Sequence, residues 1–388
     1  MRRIRVAGVA MRGDGYPNAV NTVELLKSNP EWDVHDRADW LPPETRLWHL
    51  MRGAVPGRIR LMLRLLAGGF IQALRLSASA RPGDVSYLPY PAPLTLFWLA
   101  IVPERWRPHC IADAYISLWD STFRDRARGD TDGVVSRAVR FFEARALGAA
   151  SLVLVDTEAN RSQFLKDFGL SEHKVRSVPL AIDESKFSAK ESISLKEKKT
   201  ERVLFVGTLV PLHGIEVVLA AAAKLSKIPG YEFRLVGNGQ QSGLVEKFIN
   251  EGGPENFTWI REWKTLRDVA SEIEAADICL GVFGGAGKAS RVLPYKLYYA
   301  LCAGKAMVTQ SGYSLPKNLP PLAVELVPVA SVEDMATQLV ASIRRISDDA
   351  DIKASLESWA RTYFARHLSS RAILAEWRDI LSRYWPSC

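Results

Sequence analysis

Apolar runs of strand length alternate with amphipathic stretches of helical spacing along the first half of the chain. The first run, at residues 4–10, is followed by a helical pattern near residues 18–27, and the alternation then continues. Strands that alternate with helices predict a doubly wound parallel sheet. The predicted strands lie at residues 4–10, 84–88, 109–113, 151–156 and 174–179, and the predicted helices near 18–27, 58–76, 93–101, 133–147 and 158–168.

The segment at residues 183–199 interrupts this alternation. It is polar and rich in lysine, which is typical of a linker between domains. A second α/β alternation starts directly after it. Its predicted strands lie at residues 202–207, 233–236, 257–260, 277–281 and 306–309, and its predicted helices at 214–225, 292–303 and 352–384.

The two alternations predict an α/β protein with two Rossmann-like, doubly wound domains. A chain of 388 residues is also too long for one ordinary hydrophobic core. We place the first domain at residues 1–183 and the second at 200–365, with residues 366–388 as a closing helix. Two such sheets in tandem are expected to face a cleft, and ligands bind beyond the carboxyl ends of their strands.

The composition narrows the class of protein. The chain is 47% hydrophobic and 24% charged, as in soluble globular proteins. Its four cysteines are widely spaced and form no metal-ligand pattern, which indicates free thiols in a reducing compartment. The apolar run near the N-terminus is too short for a signal peptide, so we expect a cytoplasmic protein.

The net charge of +8 indicates an anionic partner. We find no zinc-finger spacing and no RNP-like strand, so nucleic acid is not expected. Residues 45–83 contain seven arginines and no acidic residue, in a helical pattern with a broad apolar side. Such a helix suits an anionic headgroup layer, and we expect residues 52–78 to contact the inner face of the plasma membrane. The arginines argue against a transmembrane span. The alternative is a core helix with a solvated basic edge.

Three glycine-bearing corners end strands of the second domain. They read GTLVPLHG from Gly207, GNG from Gly237 and GVFGGAGK from Gly281. Glycine lets the backbone approach a ligand, and helix N-termini offer free N–H groups to phosphate. Basic residues near the third corner would stabilise a diphosphate leaving group. Any single corner is equally well explained by packing. The candidate binding residues are Gly207, Thr208, His213, Gly237, Gly287, Lys288, Arg291 and Lys296.

From about residue 156 to residue 309 the sequence resembles the retaining GT-B glycosyltransferases of family 4. The stretch VPLAIDESKF, from Val178, resembles that family's hinge element. The phrases FVGTL, LVGNG and LPYKLYYALCAGKAMVT resemble its successive C-domain motifs. The resemblance implies a GT-B fold whose C-terminal helix crosses back to the first domain. It also implies transfer of a sugar, with retention, from a nucleotide-diphosphate donor to a glycan or lipid-linked acceptor in bacterial surface polysaccharide or glycolipid assembly.

The chain departs from the family pattern at four positions. Thr208 and His213 stand where the family has an arginine and a lysine on the first corner. Arg291 and Tyr299 stand where it has two glutamates that hold donor hydroxyls. We therefore expect Lys288 and Arg291 to take over the binding of the diphosphate. No cofactor is expected, and because no DxD pair or ligand cluster ends a strand, neither is a metal.

Candidate catalytic residues follow the predicted strand at 109–113. The family often places a histidine there, and here the acidic candidates are Asp113 and Asp120. In a retaining mechanism such a group would stabilise an oxocarbenium-like sugar. The alternative for Asp113 is a turn cap at the strand end. Gly15, in the loop after the first strand, is a further candidate donor contact, and a plain turn explains it equally well.

Three other functions fit a doubly wound chain. A nicotinamide-dependent dehydrogenase would need GxGxxG directly after the first strand, and GVAMRGDGYPN lacks that spacing. A sugar-nucleotide epimerase of the same fold would share the architecture but would need no basic membrane helix. A catalytically silent protein that binds a sugar nucleotide or glycan fits the loss of both family glutamates. The last two remain open at the level of sequence.

Overall fold

The computed structural model contains two α/β units, each built around a six-stranded parallel sheet. The first unit comprises Met1–Ile182 and Ile373–Cys388, and the second comprises Asp183–Ala372. The residues that the structure describes are 2–13, 16–45, 55–81, 83–124, 131–187, 200–262 and 264–385.

The first unit has the sheet order β3-β1-β5-β6-β7-β8. The central strands are buried along their whole length, because helices cover both faces of such a sheet. The strands are β1 Arg2–Val6, β2 Val9–Ala10, β3 Trp32–Asp36, β4 Asp39–Trp40, β5 Val85–Leu88, β6 Cys110–Asp113, β7 Leu152–Val155 and β8 Val175–Ser177. The helices are α1 Pro17–Ser28, α2 Val55–Ser79, α3 Pro93–Leu99, α4 Val134–Gly148 and α5 Glu158–Phe168.

The second unit repeats this topology with the order β11-β10-β9-β12-β13-β14. Its core packs the apolar side of α6 and α10 against the sheet. The strands are β9 Glu201–Val206, β10 Tyr231–Val236, β11 Phe257–Ile260, β12 Ile278–Leu280, β13 Ala306–Gln310 and β14 Glu325–Val327. The helices are α6 Ile215–Leu225, α7 Ser242–Asn250, α8 Leu266–Ala275, α9 Tyr295–Cys302, α10 Val332–Asp348 and α11 Ala350–Tyr363. The last helix of the chain is α12 Ser370–Tyr384, most of which belongs to the first unit.

The final helix, α12, returns to the first unit. Trp377 is buried there, with its ring edge-on to Tyr87 at a centroid distance of 5.3 Å. Arg176, in the middle of β8, donates to Glu376 at 2.6 Å and also pairs with Asp379. Apolar packing and these ion pairs hold the C-terminal helix against the sheet of the first unit, as the predicted fold class requires.

The structure corrects two predicted elements. The strand expected at residues 4–10 is interrupted, since β1 pairs with β3 and β5 while β2 pairs with β4 in a separate ribbon. The prediction of a single helix at 352–384 is wrong. The chain leaves α11 through a π-helical turn, and Ser369 is extended. The Ser369 hydroxyl then accepts from the Ala372 amide, which starts α12 as a separate helix.

Candidate functional site

The three glycine corners of the second unit contact one another at the carboxyl end of the sheet. The Leu209 amide donates to the Asn238 carbonyl at 3.0 Å, which joins the first corner to the second. The Phe283 amide donates to the His213 carbonyl at 3.2 Å, which joins the first corner to the third. The corners therefore form one continuous backbone surface.

Close packing accounts for two of these glycines. Gly237 has φ +137°, and a Cβ built on it would lie 2.0 Å from the Gly207 carbonyl oxygen. Gly214 has φ +65°, and a Cβ there would lie 2.3 Å from the Phe283 carbonyl group. Both positions need glycine for the backbone angle and for the contact between corners. The packing explanation thus holds for Gly237 whether or not it touches a ligand.

Replacing Gly237 with alanine is expected to lower the free energy of unfolding by about 3 kcal/mol, because the new methyl group would force two backbone segments apart. Urea unfolding of the second unit, followed by circular dichroism, measures this loss. Gly243→Ala is the matched control. Gly243 lies in α7, and no atom of the described residues is near its Cβ position, so alanine there should be neutral or slightly stabilising. Equal stability of the two variants would contradict the close contact at Gly237.

Lys296 and His213 meet beneath the first corner. Lys296 lies in the first turn of α9, and its Nζ is 3.6 Å from the centroid of the Phe205 ring. A Cβ on Gly207 would lie 2.9 Å from that Nζ and 3.1 Å from Cε1 of His213. The His213 ring packs edge-on against Phe205 at 5.8 Å. The structure thus brings together three predicted binding residues, Gly207, His213 and Lys296.

One nitrogen atom of each of these two side chains has no hydrogen-bond partner among the described residues. The two atoms are Nζ of Lys296 and Nδ1 of His213, and both are buried without a hydrogen bond in the part of the chain that the structure describes. Burial lowers the pKa of Lys296 well below its ordinary range. Burial, and then the charge of Lys296, lower the pKa of His213, against a hydrogen bond to the Thr208 backbone. A buried cation without a partner is unfavourable, so an anion bound here would supply the interaction that the protein leaves open.

The third corner adds further positive charge. Its 3-10 turn Lys288–Ser290 packs against the turn Pro211–His213 of the first corner. Lys288 and Arg291 are half-buried, while Gly287 and Thr208 are exposed. No acidic residue occurs from position 281 to position 324, whereas lysine or arginine occupies positions 288, 291, 296, 305 and 317. This imbalance gives the third corner and the chain after it a positive field.

Tyr299 has an aromatic partner at the position where the resemblance places a glutamate. Its ring stacks on Phe187 at a centroid distance of 4.4 Å and an interplanar angle of 9°. Tyr295 packs against the same tyrosine at 5.7 Å. The ring therefore contributes to an apolar cluster between α9 and the chain before β9.

Asp113, the first catalytic candidate, lies at the end of β6 in the first unit and is 1% exposed. Its Oδ2 accepts from the Asn18 amide at 3.2 Å and from the Tyr87 hydroxyl at 3.1 Å. Its Oδ1 accepts from the Tyr115 backbone at 3.3 Å. Burial raises the pKa of Asp113 to about 6, although these hydrogen bonds act in the opposite direction. These contacts indicate that the Asp113 carboxylate holds the loop after β6 in place rather than touching a substrate directly.

Asp120, the second catalytic candidate, belongs to a different network. Its carboxylate accepts from Arg124 at 2.9 Å, and Arg124 also pairs with Asp167 at 2.8 Å. Asp120 begins a π-helical turn and is mostly buried. Its side chain thus joins this turn to α5. Gly15, the remaining candidate, lies outside the described residues.

Sequence reasoning missed Glu143, which is buried on α4. Its carboxylate accepts from the Ser117 hydroxyl at 2.9 Å and from the backbone of Leu118 and Trp119 at 2.9 and 2.8 Å. Burial raises its pKa to about 7. A single acid in an amphipathic helix looks like a surface residue in the sequence, so only the tertiary contacts identify it. Among the described residues, no group of three or more histidine, cysteine or acidic side chains could hold a metal ion.

Comparison with known proteins adds a distant relative in sequence. No protein-family model matches the chain. The chain is 25% identical over 219 residues to the MMP α-(1→4)-mannosyltransferase of Mycolicibacterium hassiacum. The alignment covers 53% of this chain and 50% of the relative, so the match spans about half of the relative's length.

Solved structures match nearly the whole chain. HepE from Anabaena, in complex with UDP, superposes with a TM-score of 0.67 at 14% identity, covering 98% of this chain and 100% of HepE. HepE in complex with UDP-glucose gives a TM-score of 0.65 at 15% identity, over 98% of this chain and 100% of that one. Sucrose-phosphate synthase from Thermosynechococcus elongatus gives 0.68 at 17% identity, over 99% of each chain. These neighbours have the GT-B fold, and the predicted fold class is thereby confirmed.

Proposed function

We propose that the protein is a glycosyltransferase that uses a nucleotide-diphosphate sugar. The observation that carries this proposal is the Nζ of Lys296, which is buried beneath the joined glycine corners of the second unit and has no hydrogen-bond partner within the described residues. A diphosphate is the anion that suits such a site. The name of the mannosyltransferase relative and the UDP and UDP-glucose bound to HepE support the same donor class.

The proposed chemistry follows from the charge that develops when the bond between the sugar and the diphosphate of the donor breaks. Departure of a nucleoside diphosphate leaves negative charge on the β-phosphate and an oxocarbenium-like sugar. Lys296, Lys288 and Arg291 would stabilise the leaving group without the help of a metal. We further propose retention of configuration, as the resemblance to family 4 implies, with the leaving phosphate taking the proton of the acceptor.

We propose a glycan or lipid-linked acceptor in bacterial surface polysaccharide or glycolipid assembly. Helix α2 supports this proposal, because its stretch Pro56–Ser79 has the length and the apolar composition of a helix that could cross a membrane. One side of α2 instead packs in the first unit, where the Gln72 side chain accepts from the Gly8 amide. We therefore propose peripheral contact with the inner face of the plasma membrane through residues 52–78, of which 52–54 lie outside the described residues.

A catalytically silent binder is the second candidate, and the stacked Tyr299–Phe187 pair favours it, because the ring replaces a carboxylate that would hold donor hydroxyls. A donor-hydrolysis assay with sugar nucleotides separates the two candidates. Slow release of nucleoside diphosphate supports the transferase, whereas binding without turnover supports the silent protein. Release of an altered sugar nucleotide without any acceptor would instead support an epimerase.

Replacing Lys288 or Arg291 with alanine is expected to weaken binding of a nucleoside diphosphate by more than about tenfold, because each removes a charge-assisted contact with phosphate. Calorimetric titration with UDP and with other nucleoside diphosphates measures the change. Arg344→Ala, an exposed arginine on α10, is the control and should bind as the unaltered protein does. Unchanged affinity in both test variants would place the phosphates elsewhere.

A further inference from the structure

The outer side of α2 exposes large apolar side chains although its inner side packs in the first unit. Leu65, Ala73 and Leu76 are buried on the inner side. Gly69 allows α2 to approach α3 so closely that a Cβ there would lie 2.2 Å from the Leu94 carbonyl oxygen. The exposed apolar residues of the same helix are Ile59, Met62, Leu63, Phe70, Ile71 and Leu74.

A second set of exposed apolar residues lies beyond α3. Ile101 and Trp106 follow that helix, and Trp106 is 65% exposed. Val134, Val135 and Phe141 lie on α4, and Phe141 is 68% exposed. None of these five residues belongs to the segment 52–78 that the sequence singled out.

Helix α3 connects the two sets, because it contacts α2 on one side and α4 on the other. Towards α2, the Trp98 indole donates to the Leu66 carbonyl at 3.1 Å and stacks edge-on with Phe70. Towards α4, Phe97 packs on Phe142 at 4.7 Å, and Arg145 donates to the Ala100 carbonyl at 2.9 Å. The helices thus lie side by side in one layer. We call the exposed side chains of α2, of residues 101–106 and of α4 the helical platform.

The charges of the helical platform have one sign on both outer helices. The described part of α2 carries arginines at 58, 60, 64 and 75 and no acidic residue. Helix α4 exposes arginines at 137, 140 and 145, and its one acid, Glu143, is buried. Glu104, between the two sets, is the exception. Exposed apolar side chains among arginines fit an anionic lipid surface, where the apolar groups enter the headgroup boundary and the arginines contact phosphate.

We propose that the helical platform as a whole, with α4 and Trp106 as full members beside α2, docks on an anionic bilayer. This inference rests on the proposed function and deepens it, since a broad platform would hold the first unit at the surface from which a lipid-linked acceptor is taken. Two lipid-contacting helices also give stronger and more oriented binding than one, because buried apolar area and charge attraction add.

Co-sedimentation with vesicles tests the platform in the absence of donor and acceptor. The probes are vesicles of phosphatidylcholine alone and of phosphatidylcholine with phosphatidylglycerol. The triple variant Val134→Ser, Val135→Ser, Phe141→Ser is expected to lower partitioning onto phosphatidylglycerol vesicles by at least about tenfold. The matched control replaces three exposed apolar residues of the second unit, Ile249, Val329 and Val332, with serine and should partition as the unaltered protein does.

Trp106 supplies a second readout. Quenching of its fluorescence by brominated phosphatidylglycerol, taken as the difference between the unaltered protein and Trp106→Phe, is expected on binding. Circular dichroism and UDP titration establish that each variant is folded. Normal vesicle binding of the α4 triple variant, or equal binding to both kinds of vesicle, would overturn the proposal. Because no transfer is measured, inactivity towards sugar donors would count against the proposed function and not against the platform.

Discussion

Replacing Lys296 with methionine is expected to lower the affinity for a nucleoside diphosphate by at least about a hundredfold, or roughly 2.7 kcal/mol. The ammonium group is buried, and within the described residues it has no hydrogen-bond partner. A diphosphate oxygen would then be its first full partner, in surroundings that strengthen charge interactions. Methionine has a similar length and keeps the contact with Phe205, so the variant removes the charge while retaining most of the packing.

The burial of Lys296 also predicts that binding of the donor is linked to protonation of the Lys296 amine. Burial lowers the pKa of free Lys296, and a bound anion raises it again, so the complex takes up protons from solution. Affinity should consequently fall as pH rises through the range in which the free amine loses its proton. Titration calorimetry in two buffers with different ionisation enthalpies measures this uptake directly.

Lys247→Met is the control for both measurements, since Lys247 is an exposed lysine on α7 in the same unit. It should leave the affinity and the proton uptake unchanged. If Lys296→Met binds UDP and the other nucleoside diphosphates normally, the buried amine has no part in binding the donor.

The central strands of both sheets could be predicted because parallel strands buried on both faces are continuous apolar runs. Two of the four edge strands, β8 and β11, could also be predicted, at residues 174–179 and 257–260, whereas β3 and β14 could not. β3 reads WDVHD, with Asp33 and His35 partly or fully exposed, and it is ordered by pairing with β1. β14 has three residues and pairs only with β13 among the described strands. Short, polar edge strands owe their structure to neighbours distant in sequence, which a local pattern does not contain.

Prediction of the candidate site from the sequence has the same limit. The glycine corners are visible as motifs, and the sequence correctly predicts that they end strands. Burial of Lys296 against Phe205 depends on how α9, β9 and the first corner pack together, so neither its missing partner nor its lowered pKa could be inferred from the sequence. The stacking contact of Tyr299 also depends on tertiary structure, because its partner Phe187 is more than a hundred residues away in the sequence.

Asp113→Asn is expected to reduce sugar transfer by at least about a hundredfold while nucleotide affinity stays within about twofold. The Asp113 carboxylate accepts hydrogen bonds from Asn18, Tyr87 and Tyr115. The side-chain amide of an asparagine would instead direct N–H groups of its own towards some of these three donors. The loop after β6 would then lose its fixed position. Asp33→Asn, which changes a half-buried acid on the edge strand β3 of the same unit, is the control and should transfer sugar normally.

The pH dependence separates a positioning role from simple loss of structure. Burial raises the pKa of Asp113 from 3.8 to about 6, so the folded state binds this proton more tightly than the unfolded state. The contribution of Asp113 to stability therefore falls as pH rises from about 3.8 to about 6. Turnover should change in the opposite direction, decreasing as pH falls through 6, because the ionised carboxylate is the form that accepts three hydrogen bonds. The residual activity of Asp113→Asn should lack this acid limb. An acid limb that persists in the variant, or near-normal turnover, would remove Asp113 from the mechanism.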